Sequence, residues 1–559
     1  MVFSRKICTF ATVNKKIRDM AQENNAFLNV FDAKNMTTTE NGALSKVSTL
    51  SVITDQFGKA GNYRERNIED VFADMDALWN ENQLYALRFI FYLRMVTRKT
   101  TLIDGDSNAT TTESVQKGQG ARDEVYKRLL WLAKYQPMAF YENIWVLPFV
   151  GSWKDMWMLM YYDEKFDLHC IDRKDIIFNL INWGLSSKAS TDLVKKYMPR
   201  IKPWPKCKTD WTIFANKIAR EFANYCHLSY KDYNHLKTSG CAHDFQKIIC
   251  DRRYPEIEWN KIPGKALNIL AGGKFLSRHC LTTAFTEWVM AQPTVKFTGY
   301  VCDLYRETRA HMNKMPLYKK ILTDKQFDEL IAKAEADGKI KGNVWCALDT
   351  SGSMGIEVTN KYRAIDICVS LGIFFSTLNK GAFHKNVIMF DSVSRVLQLE
   401  GTFTDMVNQI SNENIAWGNT NFQSVIDEII RIRKTYPNIP LEEYPQTLLV
   451  VSDMQFDVPS SMRETNYEAM KRKLYEVFPQ DFVDGMKFIW WDCASRKSDF
   501  PSTVEDSGTY FFSGFDGSIL QMLLGDDTDD TDTEKKPTPS MEELIEKALS
   551  QEILQYILV

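Results

Sequence analysis

Five oxygen-bearing side chains, Asp349, Ser351, Ser353, Thr420 and Asp453, have the types and positions to hold a divalent cation. The first three lie in Ala347-Leu348-Asp349-Thr350-Ser351-Gly352-Ser353, at the exit of the apolar stretch Val344 to Leu348. Thr420 lies in Trp417-Gly418-Asn419-Thr420-Asn421, ahead of a helical segment that begins at Phe422. Asp453 closes the apolar run Thr447-Leu448-Leu449-Val450-Val451-Ser452. Carboxylates and hydroxyls without imidazole or thiolate suit a hard cation. With only two carboxylates offered, Mg²⁺ is favoured, while Mn²⁺ and Ca²⁺ remain compatible with the same donors. Asp453 is expected to act through water, and open positions on the ion would take a carboxylate or phosphate from a partner. A lone Ser351 or Ser353 would read as a helix cap. The five together, each at a strand end or helix start, read as a site.

A D-x-[ST] run can also present an aspartate nucleophile for phosphoryl transfer. Such a site also needs a lysine for the phosphoryl group and further carboxylates for the ion, and here the next lysine is Lys361. The sequence holds no G-x-x-x-x-G-K-[ST], no H-E-x-x-H and no G-x-S-x-G. Its 7 histidines in 559 residues leave little acid–base machinery. A binding function is expected, and no enzymatic one.

The elements that must position these donors are legible from apolar patterning. Strand-length runs at 343–349, 385–391, 394–399, 446–452, 486–492 and 508–514 alternate with helical segments at 360–379, 421–434 and 461–477. That alternation predicts a doubly wound, mostly parallel sheet. The pair 385–391 and 394–399 is too close for a crossover helix, so one edge strand should be antiparallel. Asp349 and Asp453 would then share the carboxyl edge, where open α/β sheets bind ligands.

Upstream the texture is helical. Val71, Phe72, Met75, Leu78 and Trp79 recur at helical spacing within 66–95, and a Gly- and Thr-rich loop is expected over 97–120. Short amphipathic helices are predicted at 121–136, 153–162, 173–184, 190–198, 209–226, 228–238, 243–251, 264–271, 274–291, 297–311 and 325–337. The expected organisation is an N-terminal extension (1–65), a helical domain (66–340), the α/β domain (341–525), an acidic linker (526–539) and an amphipathic helix (540–559). Ser540 should cap that last helix. Met541, Leu544, Ile545, Ala548, Leu549 and Ile553 share its apolar face, which needs a docking surface, here expected on the body of the same chain.

The overall net charge of −3 hides an asymmetry of +10 over 111–340 against −14 over 341–559. A basic middle points to a polyanion. The 11 cysteines include no C-x-x-C pair, which argues against a zinc site and a disulfide framework, and Cys346 and Cys368 read as buried free thiols. No apolar run reaches the roughly 18–20 residues that span a bilayer. With no secretory signal in the first 20 residues, an intracellular, cytoplasmic setting is expected.

The spacing D-x-S-x-S…T…D resembles the metal-ion-dependent adhesion site of von Willebrand factor A domains. Three further segments stand upstream: Thr39-Glu40-Asn41-Gly42-Ala43, then Gly118-Gln119-Gly120-Ala121-Arg122-Asp123-Glu124, then Leu147-Pro148-Phe149-Val150-Gly151-Ser152-Trp153-Lys154-Asp155. Their order resembles the TROVE module of Ro ribonucleoproteins, in particular the Ro-like proteins of bacteria and large DNA viruses. The second segment departs from the family's R-G-G-K-G-type stretch by lacking the middle lysine. The resemblance covers about residues 39–525. It implies a HEAT-like helical ring or horseshoe closed by a von Willebrand A domain, monomeric, binding small structured or single-stranded RNA. Arg122, Lys127, Arg128, Lys195, Lys196, Arg200, Lys202, Lys206 and Lys208 would offer phosphate contacts, with Trp204 and Trp211 stacking on bases. The competing reading is a metal-dependent protein-interaction adaptor without RNA binding, in which a partner offers a carboxylate to the ion.

Overall fold

The computed structural model describes residues 35–559 apart from 97, 103–111, 117, 189, 240–243, 313, 337–341, 360, 414–417, 460–463, 495–499, 516–522 and 524–538. Most of the expected N-terminal extension and nearly all of the acidic linker therefore lie outside the described residues.

A hairpin of β1 (Met36–Thr38) and β2 (Leu44–Lys46) comes first. A ribbon of β3 (Arg98–Leu102) and β4 (Thr112–Gln116) pairs antiparallel inside the stretch read as a loop, which its β-branched Thr100, Thr101, Thr112 and Val115 favour. The main sheet holds β5 (Val344–Asp349), β6 (Asn386–Phe390), β7 (Ser394–Gln398), β8 (Thr447–Ser452), β9 (Lys487–Asp492) and β10 (Thr509–Ser513). Its order is β10-β9-β8-β5-β6-β7, parallel throughout except that β7 runs antiparallel to β6 at the edge. The order reverses between β5 and β8, both buried at every residue. Continuous apolar runs are what strands covered on two faces require. Asp349 ends β5 and Asp453 follows β8, so both expected carboxylates stand at the switch point.

Helices make up most of what precedes the sheet. The periodic stretch 66–95 is two helices, Ile68–Glu81 and Gln83–Arg94. Extended Asn82 separates them and caps the second by accepting from the Tyr85 N–H at 3.0 Å. Segment 274–291 also splits, into Phe275–Arg278 and Thr282–Ala291, with Cys280 between them at φ 55°. Helix Phe403–Asn412 was not expected, although Phe403, Met406, Val407 and Ile410 carry the i, i+3, i+4, i+7 signature and are all buried.

Two of the three upstream motifs fasten helices together. In the third, Asp155 accepts from Arg94 Nε at 3.0 Å and Nη2 at 2.6 Å, from the Ser152 N–H at 2.6 Å and from the Tyr126 hydroxyl. Arg94 and Asp155 are each 1% exposed. Gly151 must be glycine, because a Cβ there would come within 2.4 Å of Asp155 Oδ2 and 2.7 Å of Arg94 Nε. In the second motif, Gly120 and Ala121 donate their N–H groups to the carbonyls of Met95 and Leu93, both at 2.8 Å, closing the end of helix Gln83–Arg94.

The helical part and the sheet domain share one core. Phe327 stacks on Phe403 at 4.4 Å, Arg309 pairs with Asp366 at 3.1 Å, and the Thr404 N–H donates to Asp324 at 2.8 Å. The Gly61 N–H donates to Ser513 Oγ at 3.0 Å. The final helix, Met541–Leu549, is capped by Ser540 and buries its apolar face against helices Val52–Lys59 and Gln83–Arg94 and strand β10. The tail beyond it pins back, with the Leu558 N–H and carbonyl both hydrogen-bonded to Asn143, at 2.9 and 2.7 Å.

Breaking one side of a buried ion pair leaves the other charge uncompensated, at about 3–5 kcal/mol. Asp155→Ala is therefore expected to lower the unfolding free energy by about that amount. Urea denaturation of the full chain would measure it, and a loss under about 1 kcal/mol would refute the fastening role.

Candidate functional site

Strand ends and turns bring the candidate metal donors to one place. Asp349 is 0% exposed; its Oδ1 accepts the Ser351 N–H at 2.8 Å and its Oδ2 accepts the Ser452 hydroxyl at 2.5 Å. The Ser351 and Ser353 hydroxyls lie 3.0 Å apart in a turn that becomes a short 3₁₀ segment, Gly352–Gly355. The Gly352 N–H donates to the Gly418 carbonyl at 3.2 Å, drawing the Thr420 loop alongside. Asp453 Oδ1 accepts the Gln455 N–H at 3.3 Å, and the Asp457 N–H reaches the Thr420 carbonyl at 2.9 Å. Thr420 and Asp453 are buried, while Ser353 is half-buried. Ser452 was missed in the sequence. Its signal is a hydroxyl on the last residue of a strand, next to an expected ligand.

Burial raises the Asp349 carboxyl to about 7, the charge of Asp453 adds to that rise, and hydrogen bonds from Ser452 and Ser351 oppose it. Beneath it the Cys368 thiol donates to the carbonyls of Val451 at 3.2 Å and Asp349 at 3.5 Å. Burial and the Asp349 charge push that thiol far up, in keeping with its place as a donor to the two carbonyls. Among the described residues no group of three or more His, Cys, Asp or Glu gathers as an ion site. The donors here are two carboxylates with hydroxyls, a set that fits a hard divalent cation and lacks the positive charge such an ion would bring.

The basic residues of the helical part divide sharply. Arg128 is 0% exposed and bonds Glu124 Oε1 at 2.9 Å and Gln56 Oε1 at 2.9 Å. Lys127 is 3% exposed and engages Asp123 and the Arg66 carbonyl. Both were expected to face phosphate, and both are instead turned inward, because the helix Asp123–Tyr135 is buried along the face that carries them. Trp211 is half-buried and packs edge-on against Tyr161 at 5.3 Å. Arg122 is exposed, ahead of the helix that buries Lys127 and Arg128.

Arg200, Lys202, Lys206 and Lys208 are exposed, and Trp204 among them is 51% exposed. This loop is held rather than loose. Asn234 brackets Ile201 with bonds of 3.1 and 2.9 Å, Asn216 accepts the Lys202 N–H at 2.9 Å, and the Tyr233 hydroxyl donates to the Pro199 carbonyl at 2.9 Å. Arg220, which sequence reading passed over, donates to the Lys202 carbonyl at 3.2 Å. Its guanidinium lies over Trp204 at 5.3 Å and Tyr230 at 4.6 Å. Exposed Lys196 and half-buried Lys195 adjoin through Lys237, whose ammonium donates to both their carbonyls at 3.2 Å. Burial and the Arg200 charge hold Lys237 below its ordinary range, a mark of crowded cations.

Residues 344–554 match the model of a family described as a domain of unknown function, DUF7788. No curated protein matches the chain. Among solved structures, the crystal structure of the Deinococcus radiodurans RO (RSR) protein is similar at a TM-score of 0.39 and 11% identity, over 77% of this chain and 97% of that one.

The raised Asp349 pKa has a definite sign. The unfolded chain loses this proton near the ordinary 3.8, whereas the fold retains it up to about 7. Between those values the native state binds more protons, so its stability falls as pH rises through that window. Ion-free protein is expected to melt at a lower temperature at pH 8 than at pH 5, with Mg²⁺ restoring the difference at pH 8 and having little effect at pH 5. Thermal melts of wild type and Asp349→Asn would check this; an unchanged pH profile in the variant would assign the effect elsewhere.

Proposed function

We propose that this chain is an RNA-binding protein, Ro-like in organisation, whose helices form a ring or horseshoe closed by the α/β domain. A divalent ion, Mg²⁺ first, would sit at the Asp349–Asp453 edge, separate from the RNA. One observation carries the reading: the preorganised loop from Arg200 to Lys208, with four exposed cations around a half-exposed Trp204 that Arg220 backs. Phosphates supply affinity through counterion release, while an aromatic face accepts an unpaired base. A double-stranded region or a single-stranded end would both meet these groups. The free thiols among the described residues and the absence there of any helix long and apolar enough to cross a membrane suit the intracellular setting proposed with it.

A second reading has its own support. Val393, 60% exposed, lies in the turn between β6 and β7, where Ser392 Oγ accepts the Asn419 N–H at 3.1 Å, beside the Thr420 loop. An apolar side chain on the rim of a metal centre suits a protein partner that offers a carboxylate. Under that reading, Asp349→Ala abolishes capture of the partner and leaves RNA binding intact.

The RNA reading is tested by electromobility assays with structured and single-stranded RNA between 50 and 200 mM salt. Replacing Lys202, Lys206 and Lys208 together by alanine should flatten the log–log salt slope by about 2–3, at roughly 0.7–0.9 per phosphate contact. Trp204→Ala should weaken single-stranded binding by about 1–3 kcal/mol. Wild-type protein that binds neither RNA at low salt would leave the adaptor standing.

A further inference from the structure

The first upstream motif does not fasten helices. Its turn, Thr39 to Ala43, crosses from the β1–β2 hairpin to the loop that follows Asp453, more than 400 residues away in sequence. Thr39 Oγ1 donates to the Phe456 carbonyl at 2.7 Å, and the Glu40 N–H donates to Gln455 Oε1 at 2.7 Å. Asn41 Nδ2 donates to the Gln455 carbonyl at 2.6 Å, and its side chain also bonds the Asp457 carboxylate. Gly42 bridges to Asp457 through the backbone. Thr39 is 5% exposed and Ala43 0%, and the Ala43 N–H closes the turn onto Thr39 Oγ1 at 3.0 Å.

The loop 455–457 gripped in this way touches two of the five candidate ligands. The Gln455 N–H donates to Asp453 Oδ1, and the Asp457 N–H donates to the Thr420 carbonyl. Gln455 and Asp457 are thus each bonded on one side to the N-terminal turn and on the other to a candidate ligand, while Phe456 between them is held by Thr39. Partners behind the ligands set ligand orientation, and losing one commonly weakens metal affinity about 10–100-fold.

We propose that the Thr39–Ala43 turn is a built-in positioning element of the metal centre: Glu40 and Asn41 on Gln455, and Gly42 on Asp457, hold Asp453 and Thr420 in the geometry that binds a divalent cation. This rests on the ion reading above. The turn makes the site a joint product of segments more than 400 residues apart, so that ion affinity reports whether the β1–β2 hairpin is seated. Conversely, an ion held by Asp453 and Thr420 stabilises the seated hairpin, because the coupling is reciprocal.

The test measures Mn²⁺ affinity of the full chain by calorimetry and by electron paramagnetic resonance, neither of which needs a known partner. Asn41→Ala and Gln455→Ala are expected to weaken Mn²⁺ binding about tenfold or more. Ser45→Ala is the control: its hydroxyl anchors the same hairpin to the Phe500 carbonyl at 2.9 Å, away from the loop. It should leave affinity within about twofold while lowering the melting temperature comparably. Unchanged affinity in Asn41→Ala and Gln455→Ala, or an equal loss in Ser45→Ala, overturns the positioning role while the ion site survives. Wild type that binds Mn²⁺ no better than Asp349→Ala overturns the ion reading itself, and this proposal with it.

Discussion

Two carboxylates removed from water at the switch point of a parallel sheet are the constraint around which the α/β domain is arranged. Burial raises the proton affinity of Asp349, and the neighbouring charge of Asp453, which little solvent can screen, adds to that rise. The surroundings relieve the strain only in part, through the Ser452 hydroxyl and the Ser351 N–H on Asp349 and the Gln455 N–H on Asp453.

The helical part treats charge in two opposite ways. Arg94, Lys127 and Arg128 are taken inside and matched to carboxylates, Arg94 across to the helix that carries Asp155 and the other two within their own helix. Arg200, Lys202, Lys206 and Lys208 are left outside on a loop that side-chain amides and a tyrosine hydroxyl hold in shape. Burial of an unpaired charge is costly and solvation of a paired one wastes little, so the two populations differ in partner rather than in type.

Both ends of the described chain return to the same body. The β1–β2 hairpin reaches the loop behind Asp453, and the final helix lies against helices from the first hundred residues and on β10. The Leu558–Asn143 pair then pins the tail. Such long-range closure ties the helical part and the sheet into one core rather than two bodies joined by a linker.

Residue order alone determined the sheet: six apolar runs of strand length, the antiparallel edge from a short connection, and the placement of Asp349 and Asp453 at strand ends. These follow from local periodicity, and period-two and period-3.6 patterns survive in any linear reading. It also determined the capped final helix, since Ser540 and an apolar stripe are neighbours in sequence. Tertiary structure alone decided that Arg128 and Lys127 face inward while Lys202 and Lys206 face out, because a lysine or arginine code carries no direction. It decided too that Gly151-x-Trp153-x-Asp155 is a fastener for Arg94 and that Thr39 to Ala43 grips the loop after Asp453. Those contacts join residues 61 and more than 400 positions apart, and nothing in either segment names its partner until the chain has closed.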